Sequence, residues 1–245
     1  SHPPPRPERA TDAKAKAALA FVAQGPGSDS FAFQVPSVEA AAGSLKAAGF
    51  QVGDLDPEVF DPDGPDGPKP SQPADWRDFH FAASPVTGAE LFFIQYPPDK
   101  PRTPEQQQRF AARTTHPNTA RRLTEVWLLV RDIEAEAAAY VRMGLAAGPA
   151  GSSPRFGART RSIKAGDGRI VLLEPDGAGL AADKLARRGP QVLGVTVAVD
   201  DLGEAERLVL AAYPGAVGVE SGPEGPTLLA PTDGDLGLFI AFRPN

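Results

Sequence analysis

The chain has 245 residues, enough for one large domain or two small ones, and a 41% hydrophobic content that is ample for a packed core. It contains no cysteine, which excludes disulfides, thiolate zinc sites and a cysteine nucleophile. A formal charge of -6 and a pI near 5.2 argue against a nucleic-acid partner or an anionic membrane surface, both of which call for a basic face. No apolar run approaches the roughly 18 residues of a membrane span. Ser1-His2 and the three prolines after it lack the charged-then-apolar order of a signal peptide. The expectation is a soluble, cytoplasmic protein.

Residues 1–10 read as an extended arm, and Thr11 to Val22 as a helix with Ala18, Leu19 and Val22 on one face. A phrase then begins that recurs twice: an apolar strand, a helix-capping residue and an alanine-rich helix. Its copies are FAFQVPSVEAAAGSLKAAGF from Phe31, VWLLVRDIEAEAAAYVRMGL from Val126 and VTVAVDDLGEAERLVLAAYPG from Val195. In each the strand ends on a valine (Val35, Val130, Val199). Two residues later stands Ser37, Asp132 or Asp201, whose side chain can accept the free N–H groups of a new helix. A recurring unit of this kind cannot bury its apolar face alone, so the repeat is a statement about architecture.

After the first helix (Ser37–Ala48) and a short strand near Phe50–Val52 comes Asp61 to Pro73, DPDGPDGPKPSQP, nearly pure Pro, Gly and Asp. It reads as a loop, with a substrate lid as the alternative. Trp76–Ala83 and Glu90–Tyr96 form a hairpin around Ser84–Gly88. Pro97–Thr119 is a polar connector with a helical turn in Pro104–Ala112. The second copy continues as strand Leu123–Val130, helix Ile133–Arg142, a Gly-rich stretch, and the hairpin Ala158–Ala165 with Arg169–Leu173 around Gly166-Asp167-Gly168. Leu180–Arg188 is a connecting helix. The third copy is strand Val192–Val199, helix Leu202–Ala212, and strands near Val217–Glu220, Pro226–Ala230 and Leu236–Phe242.

The fold class is therefore α+β, built from repeated βαβββ units whose sheets form small-molecule cavities. Three units are recognisable. The division is an N-terminal arm and helix (1–27), a first unit (28–98), a connector (99–119) and a domain of two units over 120–245, at 120–178 and 190–245.

Paired units of this type resemble the vicinal oxygen chelate superfamily and, more narrowly, the glyoxalase-like domain proteins. The run His116-Pro117-Asn118 before an apolar strand carries the likeness, as do the closing strands LFFIQYPP (Leu91–Pro98) and IVLLEPDG (Ile170–Gly177). The resemblance implies four units in two domains. Three are present here, and residues 1–22 look like the tail of a connection out of a further one. An odd unit exposes a sheet face, which disfavours the simplest monomer and makes a homodimer one way to complete it. The resemblance also implies a small-molecule ligand and, in metal-using members, ligands near the start of a unit's first strand and on its last strand. Those positions are Ser30, Glu125 and Gly194, and about Phe93, Val171 and Ile240, with Gln95 one inward step on. Only Glu125 is a good ligand for Fe, Mn, Ni or Zn.

Glu125 stands in an otherwise apolar strand, as metal ligand or raised-pKa base, or as a carboxylate paired with Arg121 or Arg122. His80 shares a face with Trp76 and Asp78, opposite Phe79 and Phe81, and is either ligand or acid/base, or a hydrogen-bonded strand histidine. His116 is a third potential ligand, though Pro117 after it suits an anchor of the crossover. Gln95, Trp127, Arg159 and Arg161 are candidates for contacting substrate; the two arginines share a strand face and could grip a carboxylate or phosphate, or simply guard an edge strand. Two functions follow: a glyoxalase-like protein that binds a small molecule without a complete metal site, and, as the alternative, a metal-dependent lyase, isomerase or dioxygenase.

Overall fold

The computed structural model describes residues 13–55, 59–60, 63–64, 67–68, 72–99, 101–222 and 225–245. The expected N-terminal arm lies outside the described residues. After α1 (Ala13–Ala23), the first unit opens with β1 (Ser30–Gln34) and α2 (Val38–Ala47). Ser37 caps α2 by accepting from the Ala40 N–H, as its place in the repeat demands. Of the Pro-Gly segment only two-residue pairings are described: β2 (Val59–Phe60) with β5 (Gln72–Pro73), and β3 (Asp63–Gly64) with β4 (Gly67–Pro68). Next come β6 (Arg77–His80) and β7 (Glu90–Gln95). The sheet order is β1-β7-β6, with β1 parallel to β7, and Val52 bridges Phe81 at the β6 edge.

The connector holds more helix than its polarity suggests. Thr103 and Gln106 form a capping box that starts α3 (Pro104–Thr114), none of which is buried. There follow β8 (Ala120–Leu129), α4 (Ile133–Arg142), β9 (Ala146–Ser153), β10 (Ala158–Ala165), β11 (Gly168–Pro175) and α5 (Leu180–Arg188). The chain ends with β12 (Gln191–Val199), α6 (Leu202–Ala212), β13 (Glu220–Gly222), β14 (Gly225–Ala230), the short α7 (Asp233–Leu236) and β15 (Phe239–Pro244). Asp132 and Asp201 cap α4 and α6 as expected, accepting from Glu134 and Ala135 and from Glu204. These strands make one eight-stranded sheet, β13-β14-β15-β12-β8-β11-β10-β9. Each half has its first strand parallel to its last (β8 with β11, β12 with β15), and the halves meet where β8 and β12 run antiparallel. The α+β class and the curled, helix-backed sheet follow the sequence expectation. The Gly-rich stretch is a strand, β9, whose AAGPAGSS composition offers no apolar alternation to reveal it.

Helices α4 and α6 cover one face of the large sheet. Ile133, Ala137 and Tyr140 pack on Leu128, Ile163, Ile170 and Leu172, while Ala205 and Val209 pack on Val199, Leu228 and Phe242. Full burial of each large aliphatic side chain contributes about 1.5–3 kcal/mol. The first unit's apolar face (Phe79, Leu91, Phe93) joins the same core as α2 and α4. Buried Glu136 on α4 accepts from the Thr87 N–H at 3.0 Å and from its hydroxyl, tying the first hairpin to the second unit. The face that the odd unit was expected to expose is therefore packed within the chain. The other side of its sheet carries exposed Ala32 and Gln34 and half-buried His80.

Candidate functional site

The inner face of the large sheet, opposite α4 and α6, is divided in two. At one end it is filled. Trp127, Phe156 and Phe239 stack edge to face at 5.7 and 5.3 Å, and Ala181 of α5 is fully buried against them. Gly194 of β12 lies under the Trp127 ring. A Cβ there would stand 2.7 Å from the indole and 2.8 Å from the Phe239 carbonyl, so no side chain, metal-ligating or otherwise, fits.

At the other end the face is polar. Strand register sets Glu125 beside Arg169 on β11 and Thr196 on β12, with Arg243 one strand further on β15. Glu125 is 4% exposed. Its Oε2 accepts from the Thr196 hydroxyl at 2.5 Å and from Trp127 Nε1 at 3.1 Å; its Oε1 accepts from Arg169 Nε at 2.5 Å and Arg243 Nη1 at 2.8 Å. Arg243 Nε also donates to the Thr227 hydroxyl at 3.0 Å. Burial pulls the Glu125 carboxyl upward, but the Thr196 hydrogen bond, the Arg243 charge, the Trp127 indole and the Arg169 charge outweigh it and hold it below the usual carboxylate range. Burial depresses Arg243, which Glu125 opposes and the neighbouring Arg169 charge reinforces.

Above this cluster opens a cavity of about 620 Å³. Glu125, Arg169 and Arg243 line its floor, with Ser162, Lys164 and Arg122 around it. Gly148, Ala146, Ala147 and Ala198 leave the space open because they carry little or no side chain. The size is that of a small-molecule site.

Of the candidate site residues singled out in the sequence, Glu125 and Trp127 meet here, with Arg122 at the cavity's edge. Glu125 pairs not with Arg121 or Arg122 but with Arg169 and Arg243; Arg121 instead bonds Asp200 at 2.5 Å. Gln95 accepts from the Val38 N–H at 3.0 Å and so helps start α2. His80 is on the first sheet, 2.6 Å from Glu90 and stacked on Phe92. His116 accepts through its carbonyl from the Thr119 N–H in the turn before β8. There Thr119 takes a left-handed φ of 57° and exchanges hydrogen bonds with Asp201 at the cap of α6. Arg159 and Arg161 point to the α4 side of the sheet. Arg159 donates to both Glu174 oxygens at 2.7 Å, and Arg161 pairs with Glu134. Both arginines are spent on fastening α4, since Glu174 also accepts from the Ile133 N–H.

These residues do not fit a divalent metal. Among the described residues no three His, Asp or Glu side chains come together, and the buried Glu125 carboxylate already pairs with guanidinium groups. The sequence reading missed Arg169, Arg243 and Thr196. The signal was available: Arg243 follows the apolar LFIAF run on the same strand face as Phe239 and Ala241.

Paired βαβββ units forming one helix-backed sheet, with a cavity on the inner face, define a protein of the vicinal oxygen chelate superfamily. The chain belongs to the glyoxalase-like domain family, whose sequence model matches residues 2–144. No curated protein matches it in sequence. Among solved structures, a mutant of 4-hydroxymandelate synthase from Streptomyces coelicolor aligns with a TM-score of 0.58 at 14% identity, covering 92% of this chain and 73% of that one. Methylmalonyl-CoA epimerase from Mycobacterium tuberculosis aligns over 52% of this chain and 90% of its own, with a TM-score of 0.45 and 19% identity. The synthase alignment shows the shared fold. No helix among the described residues is long and apolar enough to cross a membrane.

Proposed function

We propose that this protein binds a small organic molecule in the inner-face cavity of its large sheet, without a catalytic metal held by the chain's own residues. The observation that carries the reading is the cavity itself: about 620 Å³ of space above a buried, ordered polar floor, beside an aromatic plug that gives the floor a rigid wall. A surface that served only packing would have been filled along its whole length, as the Trp127 end is. In this reading residues 120–245 form the binding domain, residues 28–98 are a docked unit that braces α4, and residues 99–119 connect them. Glu125 orients Arg169 and Arg243, Trp127 orients Glu125, and the indole ring bounds the apolar side.

The test is ligand-observed NMR with a small-molecule library on the wild-type chain and on Ala146→Trp, which fills the cavity from an exposed edge-strand position. Hits lost in the variant support the reading. A library without hits, or hits indifferent to the tryptophan, would overturn it. One equivalent of Fe, Mn, Ni or Zn per chain by elemental mass spectrometry would return the protein to the metal-dependent lyase, isomerase or dioxygenase class.

A further inference from the structure

The two larger sheets have four edges, and among the described residues three are protected. At the edges of the eight-stranded sheet, β9 carries Pro149 and β13 is only three residues long. The β6 edge is covered where Val52 bridges Phe81 and the Gly53 N–H donates to the His80 carbonyl at 2.8 Å. The exception is β1. Its sequence SFAFQ holds no proline and no charge, and no described strand pairs with its outer edge. An apolar edge left in this state is a template for another strand, and folded proteins blunt such edges where they are not used.

The backbone fixes which groups are on offer. The Glu90 N–H donates to the Asp29 carbonyl at 2.7 Å and the Val35 N–H to the Ile94 carbonyl at 2.9 Å, so the odd residues of β1 face β7. The N–H and C=O groups of Ser30, Ala32 and Gln34 therefore point outward. Ala32 and Gln34 are exposed, and the Ser28 hydroxyl donates to the Ser30 carbonyl at 2.9 Å. The internal repeat indicates what fits. Ser30-Phe31-Ala32 holds the place of Glu125-Val126-Trp127 in the second unit and Gly194-Val195-Thr196 in the third. Those strands pair antiparallel, with Val126 opposite Val195, Glu125 opposite Thr196 and Trp127 opposite Gly194. Between two copies of β1 the same register sets Phe31 opposite the partner's Phe31 and Ser30 opposite the partner's Ala32. That arrangement is its own two-fold image, and it joins the even residues, whose backbone groups are the outward ones.

We propose that the outer edge of β1 binds a second copy of this chain, by antiparallel pairing of β1 with β1 about a two-fold axis at Phe31. Ser30 exchanges both backbone hydrogen bonds with the partner's Ala32, and the symmetry repeats the exchange. Two three-stranded sheets become one, and its open face runs from one His80–Glu90 pair to the other. The contacts that fasten the first unit to the large sheet's domain lie elsewhere: Thr87 on Glu136, Gly88 against Gln191, Phe50 under Arg142 and Pro26 on Arg188. No residue of β1 lines the cavity, so the pairing needs no ligand.

The experiment is sedimentation velocity and light scattering on the full chain over a wide range of concentration. The mass is expected to rise from 25.7 kDa to twice that value. Ala32→Pro removes an outward N–H and no bond to β7, so it is expected to melt as wild type does and to stay monomeric. Ala32→Lys, at an exposed position, brings two like charges together near the axis and is expected to have the same effect without proline. Because the chain has no cysteine, Phe31→Cys and Phe33→Cys each introduce a single thiol. Phe31→Cys is expected to form a disulfide-linked dimer on oxidation, since opposed residues of a non-hydrogen-bonded pair stand about 4.5 Å apart at Cα. Phe33, opposite the partner's Asp29, is expected to give none. A mass of 25.7 kDa at every concentration, or a dimer unmoved by both Ala32 variants, would overturn the pairing. Cross-linking by Phe33→Cys in place of Phe31→Cys, or by neither, would overturn the register.

Discussion

Replacing Glu125 by glutamine removes one charge from a buried inner-face side chain that accepts from four donors, while keeping its volume. The amide carbonyl can still accept from Thr196 and Trp127, but its NH2 then turns a donor toward Arg169 and Arg243, which are donors themselves. Breaking a fully buried ion pair by removing one partner costs about 3–5 kcal/mol. Here the Arg169 and Arg243 side chains are 34% and 21% exposed, so water screens part of the loss, and about 2–3 kcal/mol is the expected destabilisation. For a chain of this length that corresponds to a fall in Tm of about 5–10 °C. Because the folded-state carboxyl is held below its ordinary value of 4.5, its contribution is present above that pH and is lost as pH falls through the depressed value. Wild type and variant should therefore differ most near neutral pH and converge in acid. Calorimetric melting across that range measures it. A variant that melts within about 1 °C of wild type at neutral pH would refute the view that this cluster is tightly coupled.

Glu136 predicts the opposite pH trend. Burial raises its carboxyl against the Thr87 donors, with Asp132 adding to the rise, so the wild type loses stability as pH climbs through that raised value. Glu136→Gln keeps an acceptor for Thr87 and should melt higher than wild type near neutral pH, with the gap closing in acid; urea titrations at several pH values would show a gap of the wrong sign if the burial is misread. The Tyr140 hydroxyl is buried without a hydrogen-bond partner among the described residues, so Tyr140→Phe should leave stability unchanged or raise it by about 1 kcal/mol, and a loss of that size in urea melts would reveal a partner. Gly194→Ala should cost about 1–3 kcal/mol by driving a methyl into Trp127, and should shift tryptophan emission to the red; an unshifted spectrum with unchanged stability would refute that close approach.

How much of this was legible in the sequence depends on whether a feature is local. Ser37, Asp132 and Asp201 each cap the helix they precede, because a cap is settled within three residues of chain. The hairpins Trp76–Tyr96 and Ala158–Leu173 were likewise readable from alternation and turn chemistry, whereas the strand expected near Phe50–Val52 is only a bridge from Val52 to Phe81. Strand β9 was not, because it is held by pairing to β10 across AAGPAGSS, and pairing leaves no mark on a strand of small residues. Nor was the docking of the first unit. The Glu136–Thr87 contact spans 49 residues, and nothing in EAEAAAY distinguishes a glutamate that reaches a neighbouring hairpin from one that faces water.

The site shows the same limit more sharply. Glu125 was conspicuous as the one ligand-capable residue at its strand start, and nearness in sequence offered Arg121 and Arg122 as partners. The partners that register supplies are 44 and 118 residues away. Parallel pairing of β8 with β11 fixes Arg169 opposite Glu125, and the β12–β15 pairing carries Arg243 in from the far half. The seam between β8 and β12 is what makes these one cluster rather than two. A strand-by-strand reading can thus name a buried carboxylate but not its partners, because Arg169 and Arg243 arrive through pairings between strands. Those partners decide the chemistry. A carboxylate among histidines would hold a cation, whereas the same carboxylate between two arginines already serves as a counter-ion to them.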